Sequence, residues 1–196
     1  MNDPIHLLGF STTLLELISF ILAVLTVALN IRQIHWAWLF SIVSSALYGI
    51  IFFDAKLYGD MSLQLVFVLV SVWGWAQWLQ KGDADSSVLQ VSRLTTAQRT
   101  VSVTGWLAGF VVLSVFLKNY TDTDVAYADG FLTAGSLLGQ LLLSRKKWEN
   151  WHVWIIVDVL YVGLYVYKGL MLTAILYVIF VLMAIIGLRA WSKSDV

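Results

Sequence analysis

Trp151, Trp154, Asp158 and Tyr161 are spaced by three, four and three residues, so on a helix of 3.6 residues per turn they share one face. Asp158 carries the most chemistry of the four. It lies near the middle of an apolar stretch, where a carboxylate is costly by several kcal/mol and so faces a cavity or a partner. No lysine or arginine occurs in that stretch. A cation from outside the chain would satisfy the charge. Aromatic faces beside it would add cation–π attraction of roughly 0.5–2 kcal/mol each, depending on desolvation. The competing reading is a structural aspartate, hydrogen-bonded or protonated. For the tryptophans the competing reading is a belt at the water–lipid boundary, which fits Trp151 best and Trp154 less well.

A second stripe, Trp38, Ser41, Ser45 and Tyr48, repeats that spacing. Gln64 and Gln140 are amides inside apolar stretches. Such groups hydrogen-bond between helices or read an amide or hydroxyl of a ligand. Glu16 and Asp129 form a further acidic pair, suited to a boundary or cap position as much as to function. Asn30 and Gln33 could line an inner mouth. Arg145-Lys146-Lys147 reads as a topology signal. His6, His35 and His152 lack the spacing of a metal site, and the chain has no cysteine, which also removes disulfides and thiol chemistry. There is no Gly-x-x-x-x-Gly-Lys phosphate loop and no serine-hydrolase elbow. Neither a nucleophile–base pair nor a catalytic metal can be assembled, so an enzyme is not expected and no cofactor is implied. Zero formal net charge gives no reason to expect nucleic acid.

The elements that position these residues follow from composition. The chain has 196 residues, of which 60% are hydrophobic and 12% charged. A soluble domain carries roughly a quarter charged residues, so the solvent expected here is a lipid bilayer. Spans are predicted at about 11–31, 34–53, 60–80, 100–117, 129–144, 151–167 and 169–190. Reading 129–144 as re-entrant would leave six crossings. The polar stretch 81–99 reads as a linker. With seven spans, Lys56, Lys118 and Lys168 fall on one side and the other nine cations on the other. The positive-inside rule then puts the N-terminus outside and the C-terminus in the cytoplasm of a bacterial-type inner membrane. Asp3 and Glu16 precede the first cation, Arg32, which argues against a cleaved secretory signal.

An internal repeat accounts for the paired stripes. One ungapped offset of 113 residues pairs Glu16 with Asp129, Arg32 with Arg145, Trp38 with Trp151 and Tyr48 with Tyr161. It also pairs Leu57 with Leu170, Phe67 with Phe180, Gly74 with Gly187 and Trp78 with Trp191. The fold class expected is therefore an all-α membrane protein of seven transmembrane helices in a single membrane domain, 1–196. Repeat one covers about 11–80, the linker and helix four about 81–117, and repeat two about 124–192. One intervening crossing makes the repeats parallel, with the two stripes facing each other near the midplane. Such an arrangement passes a small solute across the membrane. A membrane-embedded sensor or scaffold that binds without transporting is the rival class.

Several segments carry a family resemblance. Lys56-Leu57-Tyr58-Gly59-Asp60 with Gln64, Trp73-Gly74-Trp75-x-x-Trp78, Glu149-Asn150-Trp151-x-x-Trp154 with Asp158, and Tyr167-Lys168-Gly169-Leu170 resemble the signatures of the PnuC-type vitamin transporters. The likeness runs from about residue 12 to 192. It implies a SWEET-like 3+1+3 helix arrangement and uptake of nicotinamide riboside, thiamine or riboflavin by facilitated diffusion, with cytoplasmic phosphorylation trapping the vitamin. It also implies a substrate site that includes Gln64, Trp151 and Trp154. The residues read directly add Asp158, Tyr161, Trp38, Ser45, Tyr48 and Gln140. Asp158 stands where some family members have asparagine, and Trp73 where tyrosine is frequent. A carboxylate suits the cations nicotinamide riboside and thiamine better than neutral riboflavin. Nicotinamide riboside is the first expectation and thiamine the alternative. The implied partners are the vitamin and the bilayer, with homo-oligomerisation left open.

Overall fold

Long apolar runs broken by short polar turns leave the backbone one economical solution in lipid, which is to satisfy every N–H and C=O inside a helix. The computed structural model describes residues 4–7, 10–54, 58–79, 89–121, 123–169 and 171–193. These residues form seven helices: α1 (Leu14–Ile31), α2 (Ala37–Asp54), α3 (Tyr58–Leu79), α4 (Thr96–Tyr120), α5 (Ala126–Ser144), α6 (Asn150–Tyr167) and α7 (Met171–Ser192). At 1.5 Å per residue their 18 to 25 residues reach roughly 27–38 Å, matching a hydrocarbon core of about 30 Å. Thr96–Tyr120 and Thr173–Ser192 are each long and apolar enough to cross a membrane by themselves. α4 shows how the lipid face is made: Val101, Val103, Leu107, Val111, Val112 and Val115 all lie exposed along it.

Two boundaries move, and the spanning reading of 129–144 stands against the re-entrant one. The first span begins later than residue 11, because Pro4–Leu7 and Phe10–Thr13 form β1 and β2, a short antiparallel hairpin ahead of α1. The linker ends earlier than residue 99, because Thr95 caps α4. Its hydroxyl accepts from the Gln98 N–H while the Gln98 side chain accepts from the Thr95 N–H. Residues 129–144 lie within one continuous helix of 19 residues, long enough to span rather than re-enter.

The chain divides into two compact units, Met1–Leu79 and Gln80–Val196. In the first, α2 packs between α1 and α3. Trp38 is 1% exposed and its ring lies over Gly74, where an added methyl would sit 2.6 Å away. Trp78 meets the same ring edge-on at 5.4 Å and 88°. In the second unit α6 packs between α5 and α7, and α4 packs on α5. There Trp151 is 2% exposed over Gly187, again 2.6 Å from an added methyl, and Trp191 meets it edge-on at 5.4 Å and 89°.

The contacts thus recur 113 residues on, and so do the turns. α1 ends in a Schellman turn: Ile34 N–H donates to Leu29 O at 2.9 Å, Gln33 N–H to Asn30 O at 3.0 Å, and Gln33 is left-handed at φ 56°. α5 ends identically, with Lys147 donating to Leu142 O, Lys146 to Leu143 O, and Lys146 at φ 48°.

The second unit also carries a strap. Ser92 N–H donates to Lys146 O and Ser92 O accepts from Trp148 N–H, a parallel bridge between the segment before α4 and the α5–α6 turn. Lys147 Nζ reaches Ser92 Oγ at 2.9 Å, and Arg93 lies over the Trp148 ring at 4.6 Å. The Glu149 carboxylate takes the Leu94 N–H at 3.0 Å and Arg99 at 3.1 Å. That use explains why Glu149, at the N-cap of α6, makes no side-chain cap. Leu94 in turn joins the core of Leu132, Leu142, Val153 and Val157.

Candidate solute site

α6 begins where the strap fixes it, and its first turns carry the predicted stripe. The stripe divides between two neighbours. Trp151 turns to α7, against Gly187 and Trp191. Trp154, half-buried, lies on α5, where a methyl added at Gly139 would be 2.9 Å from its ring. Gly135, one turn earlier on α5, gives Val157 and Trp106 the same close approach. These glycines let α5 and α6 meet at a distance that any larger residue would forbid.

Asp158 is 4% exposed, and among the described residues no hydrogen bond or ion pair engages its carboxylate. Tyr161 lies a turn further on. Its ring lies 4.7 Å from Tyr177 of α7 and stacks on Tyr165 at 5.6 Å. Tyr165 and Tyr177 close the triangle at 5.1 Å, and Phe180 extends it edge-on from Tyr177 at 5.5 Å. All three tyrosines are half-buried, so the cluster keeps an open side. Gln140 is buried on α5, between Ser136 and Ser144, which are buried as well. The second unit therefore gathers Trp154, Asp158, Tyr161 and Gln140 around α5–α6, and sends Trp151 to the other flank.

In the first unit Trp38 occupies the Trp151 position and is equally enclosed. The indole N–H groups of Trp38 and Trp151 are both buried without an acceptor among the described residues. Ser41 bonds Ser71 of α3 at 3.0 Å. Ser45 and Tyr48 follow on α2, half-buried, and Gln64 stands on α3 with its Cβ 3.7 Å from a methyl placed at Gly49. Lys56 and Leu57 of the resemblance lie outside the described residues, as does the side chain of Glu16. Asp129 accepts from Thr123 Oγ1 at 2.7 Å, which makes it an anchor for the entry to α5.

Tyr165, Tyr177 and Ser136 were not singled out from sequence. The signals were present: Tyr165 follows Tyr161 by four, and the 113-residue offset sets Tyr177 opposite Gln64. The open groove of about 450 Å³ bounded by Phe110, Phe131, Leu160 and Leu164 holds none of these polar residues and faces outward from α4–α6. Its lining is apolar, which suits acyl chains rather than a polar solute.

Comparison with known proteins adds the family. The sequence model described as "Nicotinamide mononucleotide transporter" matches residues 13–193. The nicotinamide riboside transporter PnuC of Escherichia coli (strain K12) is 23% identical over 222 residues, covering 99% of this chain and 91% of its own. The riboflavin/roseoflavin transporter RibM of Streptomyces davaonensis is 28% identical, covering 92% of this chain and 86% of its own. A crystal structure of the vitamin B3 transporter PnuC superposes with a TM-score of 0.74 at 24% identity, over 91% of this chain and 80% of that one.

Proposed function

We propose that this chain, which belongs to the nicotinamide mononucleotide transporter family, is a membrane transporter whose vitamin cargo is nicotinamide riboside, moved by facilitated diffusion and trapped by phosphorylation in the cytoplasm. The observation that carries the cargo is Asp158. Its carboxylate is buried, no cation among the described residues pairs with it, and Tyr161, a turn along α6, is in ring contact with Tyr177 of α7. A fixed pyridinium charge supplies the missing partner, and the cost of burying the carboxylate falls when the two meet. Trp154, Tyr161 and Gln140 would contact the cargo from α5–α6. Ser45, Tyr48 and Gln64 are the candidate cargo-binding residues of the first repeat. Trp38 and Trp151, wedged over glycine, hold the helices that carry these groups.

The organisation that goes with this reading is two three-helix repeats, about 11–80 and 124–192, joined by α4. Thiamine is the second reading, because it too is a cation. The RibM likeness makes riboflavin the third. Uptake of the three labelled vitamins into proteoliposomes separates them. Nicotinamide riboside should enter saturably and stop at equal concentrations on both sides. Binding without uptake would leave a sensor, and uphill accumulation on a sodium or proton gradient would overturn facilitated diffusion. The N-terminus lies outside and the C-terminus inside in this reading. Reporter fusions at Val196 and within 83–92 should both be cytoplasmic, and an external signal at either refutes the topology.

A further inference from the structure

We propose that Tyr177 of α7, with Tyr165 of α6, is a specificity-determining residue that makes the second repeat a reader of positive charge. The proposal rests on the transport reading above and deepens it.

Two independent observations lead to Tyr177. The first is positional. The 113-residue offset holds in the contacts of both three-helix groups, from the Trp38–Trp78 and Trp151–Trp191 pairs to the two Schellman turns. The same offset sets Tyr177 at the place of Gln64, Tyr161 at Tyr48, Tyr165 at Phe52 and Asp158 at Ser45. A position assigned to cargo in α3 thus has a counterpart in α7, and that counterpart changes from an amide to a phenol ring. The second is geometric. Tyr177 is in ring contact with Tyr161 at 4.7 Å and with Tyr165 at 5.1 Å. Tyr161 also stacks on Tyr165 at 5.6 Å. Three rings are held in place by one another, beginning three residues along α6 from Asp158. Each ring remains half-buried, so each keeps surface to offer.

Packed aromatic faces next to an unpaired carboxylate attract a cation twice, through the charge and through the ring quadrupoles. A neutral ring of the same size gains only the stacking. The first repeat, with Ser45 and Gln64 at the equivalent places, offers hydrogen bonds and no charge preference. Charge selection therefore belongs to the second repeat, and Tyr177 contributes to it through its face rather than its hydroxyl.

The test uses the purified full-length protein and two competitors of equal ring size, 1-methylnicotinamide, a cation, and nicotinamide, which is neutral. Each is titrated against bound labelled nicotinamide riboside. In the wild type the cation should compete better. Tyr177→Leu should reduce that advantage by about 2- to 30-fold, the range of a cation–π contact, while Tyr177→Phe retains most of it. Tyr165→Leu should act in the same direction. A packing role would weaken both competitors equally and lower the melting temperature, leaving their ratio unchanged, and that result overturns the proposal. Should Tyr177→Leu not fold, Tyr177→Phe and Tyr165→Leu decide by the same ratio. Failure of the wild type to bind nicotinamide riboside at all would instead fall on the transport reading, and this proposal would fall with it.

Discussion

α1–α3 and α5–α7 are built on the same posts and differ in what they mount on them. Both have a buried tryptophan on the middle helix seated on a glycine of the third. Both enter that middle helix through a left-handed residue. Even an indole bond persists while its ends exchange: Trp75 on α3 donates to His35 in the first turn, and Trp148 in the second turn donates to Leu188 O on α7. The differences lie one and two turns further along. Ser41 and Ser71 bond each other in the first group, where the second has Trp154 and Ala184. Ser45 gives way to Asp158, and Gln64 to Tyr177. The tryptophan–glycine contacts are the same in both groups while the polarity of the middle helix beyond them changes. Function is free to be asymmetric.

The largest effect expected from that asymmetry is at Asp158. Asp158→Asn keeps shape and removes charge, and a charge-assisted contact is worth about 1.5–3 kcal/mol, or roughly 10- to 150-fold in affinity for a cationic vitamin. Ser45→Ala, its counterpart, should cost at most about tenfold, the upper end for a neutral hydrogen bond. Calorimetric titration of nicotinamide riboside into both variants measures the difference. Equal losses would mean that the two groups read the cargo alike. Poor folding of Asp158→Asn with unchanged affinity in the surviving protein would return the carboxylate to a structural role.

Next come the posts. A methyl at Gly187 or Gly74 falls within the van der Waals radius of a rigid, enclosed indole that has nowhere to move. Overpacking of this kind costs about 1–3 kcal/mol, against a gain of at most about 1 kcal/mol for alanine over glycine in a helix. Gly187→Ala and Gly74→Ala should therefore both lower the melting temperature in detergent, by similar amounts. Gly163→Ala, which meets nothing within 4 Å, should not. A drop in only one of the pair would show that the two groups are not held alike.

How much of this could be read from the chain depends on which force fixes each feature. The helices were legible because lipid allows no other use of an apolar run, and the paired tryptophans and glycines because size complementarity leaves a mark at fixed spacing. The ends were less so. Residues 96–99 look polar and linker-like, yet a capping box makes them the first turn of α4. The hairpin at 4–13 has no strong alternation to announce it. At the candidate site, Asp158 and Tyr161 stand out by type and depth. The packing of Trp38 and Trp151 does not, because aromatic residues near helix ends serve belts, sites and wedges equally, and the glycine beneath them is seen only in the fold. Tyr177 escaped because a tyrosine in an apolar helix is unremarked until its neighbours are known. The strap through Ser92, Leu94 and Glu149 joins residues about 55 apart, a distance over which spacing carries no signal.

The smallest effect separates the two left-handed turn residues. Gln33 and Lys146 both hold positive φ without being glycine, a conformation that costs an L-residue roughly 1–2 kcal/mol and glycine almost nothing. Glycine also has a more flexible unfolded chain, which returns up to about 1 kcal/mol of that. Gln33→Gly should be near neutral or slightly stabilising. Lys146→Gly should gain more, because Lys146 is buried and desolvation pushes its ammonium below the usual lysine range. With the folded value lowered, the folded state gives up a proton that the unfolded state still holds. The burial penalty is therefore full below the folded value and is relieved as pH rises from there toward 10.5, the ordinary lysine value. Wild-type stability should climb over that window while Lys146→Gly stays level, so the gap between them narrows. Gln33→Gly has no titrating side chain, and its difference from wild type should not move with pH. Melting curves of the three proteins from pH 7 to 10 measure this, and a Lys146→Gly gap that widens with pH would show that desolvation does not govern this ammonium.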